Sequence, residues 1–211
     1  MDEPSNGNER LSPLQERHLI QRAQRGCKES SRALIESHQD RLNAFVWRLV
    51  RNRHEAEEIC QDTFLRAFGA LGGFNFSYRF STWLFTIGYR LCLNAIRRRK
   101  DFTGDVDFGT FARKDESRDV VADEIANSEE AKRLRRIIWE SVEQLTPPQR
   151  AAVILFYRES MSCQEIGEVL EMPAATVKSH LHRARNHLKE MLQSQFVEDW
   201  TLVRFDEAAG A

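Results

Sequence analysis

The chain has 211 residues, room for one ordinary domain or two small ones, with 41% hydrophobic and 30% charged side chains and a formal net charge of -1. That balance supplies a core and excludes a wholly disordered or collagen-like chain. No run approaches the roughly 18 apolar residues that span a bilayer, and the start (Asp2, Glu3, Pro4, Ser5, Asn6) lacks an apolar signal core; a cytoplasmic protein is expected.

In chain order the apolar residues recur at three and four, the spacing of helices, and no strand alternation or internal repeat is visible. Leu14, Ile20 and Ala23 predict a first helix that Gly26 ends, and Ser30 with Leu34 and Ile35 predicts a second. Leu42, Phe45, Val46, Leu49 and Val50 predict a third. Ala56, Ile59, Cys60, Thr63, Phe64 and Ala67 form the inward stripe of a fourth, whose outward positions Glu55, Glu58, Asp62 and Arg66 are charged. Gly69, Gly72 and Gly73 break the pattern. An aromatic loop follows, and Trp83, Ile87, Leu91 and Ala95 predict a fifth helix that ends in Arg97, Arg98, Arg99 and Lys100.

The net charge hides an asymmetry. Residues 1–100 carry 17 basic and 11 acidic side chains, residues 101–130 carry 3 and 10, and residues 131–211 carry 11 and 11. An acidic, apolar-poor stretch cannot bury enough surface to offset its ordering entropy and is read as a flexible linker. Beyond it, Ser128 is placed to cap a helix with Leu134, Ile137, Ile138 and Val142, and Pro147 opens the next at its first turn. Four dispersed cysteines, Cys27, Cys60, Cys92 and Cys163, read as reduced thiols.

The most specific local pattern lies in the C-terminal part. Ser162 and Glu165 make a capping box for a short helix through Ile166, Val169 and Leu170; Glu171 and Met172 form a tight turn, and Pro173 starts a further helix with Val177, Leu181, Ala184 and Leu188 on one buried stripe. This is a helix-turn-helix. On the opposite face lie Lys178, Ser179, His182, Arg183 and Asn186, hydrogen-bonding side chains near the start of a groove-sized helix, as base readout requires. A merely solvated face is the plain alternative; the capped helix and turn before it favour DNA contact. The segments from Glu55 to Phe68, from Phe80 to Ile87 and from Leu145 to Arg150, with Thr176 to Arg185, resemble the extracytoplasmic-function sigma factors of bacteria.

The resemblance spans about residues 12–192. It implies an all-α protein of two helical domains that binds core RNA polymerase, melts the minus-ten promoter element with the first domain and reads the minus-thirty-five element with the second. The expected organisation is a disordered start over 1–11, a first domain over 12–100, an acidic linker over 101–127, a helix-turn-helix domain over 128–194 and a tail over 195–211. That tail carries Phe196, Trp200, Leu202, Val203 and Phe205, which fit a short helix on the second domain or on a partner. The polymerase-binding segment of the family maps onto Glu58, Gln61, Asp62, Leu65 and Arg66.

The strand-opening region maps onto Phe74 to Arg99. Melted bases are held by aromatic stacking with cationic groups on the phosphates. Phe80 and Trp83, at helical spacing, read as core, whereas Phe76, Tyr78 and Arg79, in a loop without periodic partners, suit an extruded base. Arg97, Arg98 and Arg99 suit backbone phosphates or the helix dipole; Arg90 and Asn94 complete the minus-ten set. The chain departs from the family at Asn75, Phe76 and Ser77, at Arg90 where an Asn is common, and at Glu171 where Gly is usual, so an altered turn geometry is expected there. His180 and His182 also differ from the Arg or bulky residues often found.

Three further readings bear on chemistry. His180, His182 and His187 do not make a metal site, because residues two apart on a helix diverge by about 200° and the remaining pair does not close a site. No phosphate loop, nucleophile elbow or His-Glu-x-x-His spacing is present, so neither cofactor, small-molecule substrate nor enzymatic activity is expected. The partners expected are core polymerase, promoter DNA as duplex and melted strand, and an anti-sigma factor inserted between the tethered domains. The competing reading is a helix-turn-helix regulator that binds duplex DNA without polymerase; the aromatic loop of the first domain argues against it.

Overall fold

A computed structural model describes residues 11–103 and 129–195, all of their regular structure helical. The start expected to be disordered, the expected linker, the Ser128 cap and nearly all of the apolar tail lie outside the described residues. Eight α-helices are described: α1 (Pro13–Gln24), α2 (Lys28–Val50), α3 (Arg53–Ala70), α4 (Phe80–Thr103), α5 (Glu129–Glu143), α6 (Pro147–Tyr157), α7 (Cys163–Leu170) and α8 (Ala174–Gln195). None of them is long and apolar enough to cross a membrane.

The first unit packs α1 to α4 around Leu34, Leu42, Phe45, Phe80, Leu84 and Phe85. A capping box starts α1: the Ser12 hydroxyl accepts from the Gln15 N–H at 3.3 Å and the Ser12 N–H donates to the Gln15 side chain at 2.9 Å. Gly26, at φ +86°, turns the chain into α2. The expected second and third helices are one helix of 23 residues. The polar run Glu36 to Asp40 looks like a break in the stripe, but His38 continues the inward face: it is buried, its Nε2 lies 3.1 Å from the Glu16 carboxylate, and its ring is 5.3 Å from that of Phe80. Asn52 caps α3, accepting from the Glu55 N–H at 3.0 Å. Helix α3 runs through Gly69 to Ala70, so only Gly72 and Gly73 break the pattern, inside a single 3-10 turn over Leu71–Gly73.

In the second unit, Pro147 opens α6, with the Gln149 side chain accepting from the Thr146 N–H at 3.2 Å. The Ser162–Glu165 box starts α7, and Val177, Leu181, Ala184 and Leu188 bury the inner stripe of α8. The turn keeps the geometry that glycine usually supplies: Glu171 sits at φ 56°, ψ 46°, contrary to the expected departure. The Met172 N–H reaches back to the Gly167 carbonyl at 2.9 Å, a closure that sets the left-handed residue. A Cβ on Gly167 would stand 2.7 Å from the Met172 carbonyl oxygen. Gly167→Ala should therefore destabilise the second unit by about 1–2 kcal/mol, read as a lower melting temperature of the full chain.

The two units are docked. Helix α7 lies against α4 and α6 against α2. Buried Arg150 donates to the Arg48 carbonyl at 3.1 Å and to the Leu145 carbonyl at 3.0 Å, and the Arg48 guanidinium lies 3.3 Å from the centre of the Trp139 ring. Burial, then repulsion from Arg51, pushes Arg150 down to about 10, which leaves it charged at neutral pH.

Candidate nucleic-acid interface

The loop from Phe74 to Arg79 is held at its base by an aromatic cluster. Phe74 is buried, with its ring 5.8 Å from Phe80 and 5.1 Å from Trp83. Phe80 belongs to the core, as its spacing suggests, and Trp83 packs half-buried against it. The two aromatic residues proposed for an extruded base part company. Tyr78 is 50% exposed. Phe76 is half-buried, edge-on to Phe74 at 5.2 Å, with the Arg17 guanidinium 4.9 Å above its ring. Its side chain is thus partly a wall of the domain.

A cleft of about 170 Å³ opens beside this loop, lined by Arg17, Arg41, Phe76, Tyr78 and Arg79 among others, with Glu159 of the second unit at its edge. Arg17 and Arg41 escaped the sequence reading because they sit on α1 and α2, whose stripes report only which face is buried. Arg90 and Asn94 are exposed on α4, followed by Arg97, Arg98 and Arg99. Arg99 differs from its neighbours: it donates to the Val50 carbonyl at 2.8 Å and pairs with Glu55, tying α4 to the start of α3. Arg98 reaches the Asn94 carbonyl at 3.4 Å.

On α8, Lys178, Ser179, His182, Arg183 and Asn186 are all exposed on one face. Asn186 lies 3.4 Å from His182 Nδ1, and Ser179 donates back to the Ala175 carbonyl at 3.1 Å. Cys163, at the start of α7, borders the same open groove, a neighbour that spacing within α8 cannot reveal. His180 sits half-buried; burial, then the Arg183 guanidinium, hold it below the usual imidazole value, so it adds no charge to this face at pH 7.

The outer stripe of α3 forms a third surface. Glu58, Gln61, Leu65 and Arg66 are exposed and Asp62 is half-buried, with Arg66 donating to Asp62 at 3.0 Å and Glu58 3.4 Å from His54. Leu65 is 73% exposed, an apolar side chain among charges.

Two family models match the chain, Sigma-70 region 2 over residues 34–102 and Sigma-70 region 4 over residues 135–188, together more than half of it. The chain is 29% identical over 177 residues to the ECF RNA polymerase sigma factor SigW of Bacillus subtilis, covering 82% of this chain and 95% of that one. It is 33% identical over 162 residues to SigE of Mycolicibacterium smegmatis, 75% of this chain and 60% of the relative. Among solved structures, CnrH in complex with the cytosolic domain of CnrY matches with a TM-score of 0.62 at 23% identity, covering 85% of this chain and 97% of that one. The sigma factor RpoE of Bartonella quintana, bound to the anti-sigma factor NepR, matches at 0.57 and 24%, covering 72% and 89%. At those identities the structures speak for the fold, while the two sigma-70 regions and the sequence relatives speak for the lineage: the chain belongs to the extracytoplasmic-function family of RNA polymerase sigma factors.

Proposed function

We propose that the protein is an alternative sigma factor that binds core RNA polymerase, directs it to specific promoters and assists strand opening, acting in the cytoplasm by binding and without catalysis. The observation that carries this reading is the presence on one chain of an aromatic and cationic loop suited to unpaired bases and an exposed helix-turn-helix face suited to duplex DNA. In this reading residues 12–100 engage the minus-ten element through Phe76, Tyr78, Arg79, Arg90, Asn94 and Arg97 to Arg99. Residues 128–194 read the minus-thirty-five element through Lys178, Ser179, His182, Arg183 and Asn186. An anti-sigma partner is part of the proposal, supported by the RpoE–NepR neighbour.

Run-off transcription with purified core polymerase tests the reading. Promoter-specific transcripts that need the factor support it; duplex binding without transcripts favours the simple regulator. The polymerase surface has its own test. The exposure of Leu65 between Asp62 and Arg66 fits an apolar anchor framed by charge, as at protein interfaces. Leu65→Ser should weaken core binding by about 1 kcal/mol, roughly fivefold, with unchanged helicity, measured by competition for core against a second labelled sigma factor.

A further inference from the structure

Every ion pair between the two units runs the same way among the described residues: an arginine of the first unit meets a glutamate of the second. Arg41 donates to Glu159 at 2.7 Å, Arg51 to Glu143 at 2.6 Å, Arg79 to Glu165 at 3.5 Å, and Arg90 through Nε to Glu171 at 2.7 Å. Two of these arginines, Arg79 and Arg90, belong to the proposed minus-ten surface. A glutamate carboxylate on either of them occupies the position that a phosphate oxygen would take. Glu159, 3% exposed, also stands at the edge of the cleft beside Phe76 and Tyr78.

The Arg90–Glu171 pair joins two residues that stand out separately in the sequence. Arg90 replaces the common Asn, and Glu171 occupies a left-handed position that Gly enters without steric cost. The side chain at 171 supplies what a glycine there cannot, a carboxylate aimed at α4. The recognition face of α8 stays exposed in this docked arrangement, so the contact engages the Arg79 and Arg90 charges of the proposed single-strand surface and leaves the proposed duplex surface free.

Resting on the sigma-factor reading, we propose that Glu171 and Arg90 are an intramolecular latch that, with Arg79–Glu165 and Arg41–Glu159, ties the second domain to the edge of the minus-ten surface of the free factor and occupies two of its cations, and that polymerase and promoter select the opened form. Geometry requires an opening. Elements centred near minus ten and minus thirty-five are separated by roughly 25 base pairs, about 85 Å at about 3.4 Å per step. Units joined by side-chain ion pairs cannot contact both. Residues 104–128, at about 3.4 Å per residue when extended, are long enough for that separation. A closed form that must open lowers apparent affinity for core by the fraction that is open, which makes the latch a brake on holoenzyme assembly.

The brake is adjustable because its outer pairs are solvated. Arg79, Arg90 and Glu171 are all exposed, so salt screens their pairs, whereas Arg41–Glu159 and the Arg150 bond to the Arg48 carbonyl are sheltered. Loss of one exposed pair should raise the open population about two- to fivefold.

Electron-electron distance measurement on the full chain tests this. Spin labels go on Gln39→Cys in α2 and Lys189→Cys in α8, both exposed, with Cys27→Ser and Cys163→Ser removing the half-buried thiols. Cys60 and Cys92 are buried, and burial pushes the Cys60 thiol up to about 12 and Cys92 further, so both stay unlabelled. The expected result at low salt is one short, narrow distance, with a longer population that grows two- to fivefold in Glu171→Gln and Glu171→Gly, and in the parent chain as salt rises. The glycine variant relieves the left-handed backbone, so agreement between the two variants assigns the effect to the lost charge. Core polymerase should move every variant to the long distance. Identical distributions in parent and both variants at all salt concentrations would overturn the latch. A response to salt and to Glu171 replacement, with no response to polymerase, would leave the latch standing and overturn the sigma-factor reading.

Discussion

Tyr78→Ala is expected to leave closed-complex formation intact and to cut promoter opening by roughly 5- to 150-fold. Stacking on an aromatic side chain contributes about 1–3 kcal/mol per base, and Tyr78 is the aromatic residue of the loop with half its surface free to stack. Permanganate reactivity of the melted thymines is the measurement, with closed-complex retention in a gel as its control. Tyr78→Phe keeps the ring and should restore opening. Phe76→Ala should behave differently. That ring packs against Phe74 and lies under Arg17, so its loss removes a wall of the cleft and lowers stability as well as opening. Normal thymine reactivity in Tyr78→Ala would remove the exposed ring from the mechanism.

Much of the fold was legible because its signals are local. The Ser162–Glu165 capping box starts α7 as its spacing suggests, and the stripes of α3 and α8 are buried residue for residue. Legibility failed at His38. A polar residue in an apolar stripe reads as a helix break, yet His38 is buried because Glu16, 22 residues away, supplies its partner. The same limit hid the docking of the two units. Arg150 reads as the polar end of a short motif, whereas its guanidinium is buried against the carbonyl of Arg48, 102 residues away. No periodicity encodes a partner at that separation.

The candidate site shows the same division. Helical phase alone brings Lys178, Ser179, His182, Arg183 and Asn186 to one exposed face, and the structure places them there. The proposed minus-ten residues lie on a loop and on α4, and Arg17 and Arg41, which line the cleft beside them, become visible only when α1 and α2 are folded beside Phe76. Glu171 is intermediate. Its backbone strain follows from its place after α7, but the arginine it faces does not.

Arg183→Ala and Lys178→Ala should separate base reading from phosphate binding on that face. Both side chains are exposed on the first turns of α8, and neither touches the core, so stability should be unchanged. A guanidinium can meet a guanine edge with two parallel hydrogen bonds, whereas an ammonium acts as a compact point charge. Arg183→Ala is therefore expected to cost about 1–3 kcal/mol on a duplex carrying the minus-thirty-five element and to relax preference at one base position. Lys178→Ala should weaken all duplexes alike and reduce the slope of log affinity against log salt by about 1. Neither replacement touches α3, so affinity for core polymerase should be preserved in both. Fluorescence anisotropy over a panel of single-base variants and a salt series reads both effects. Unchanged duplex affinity in both proteins would mean that α8 does not enter the groove by this face.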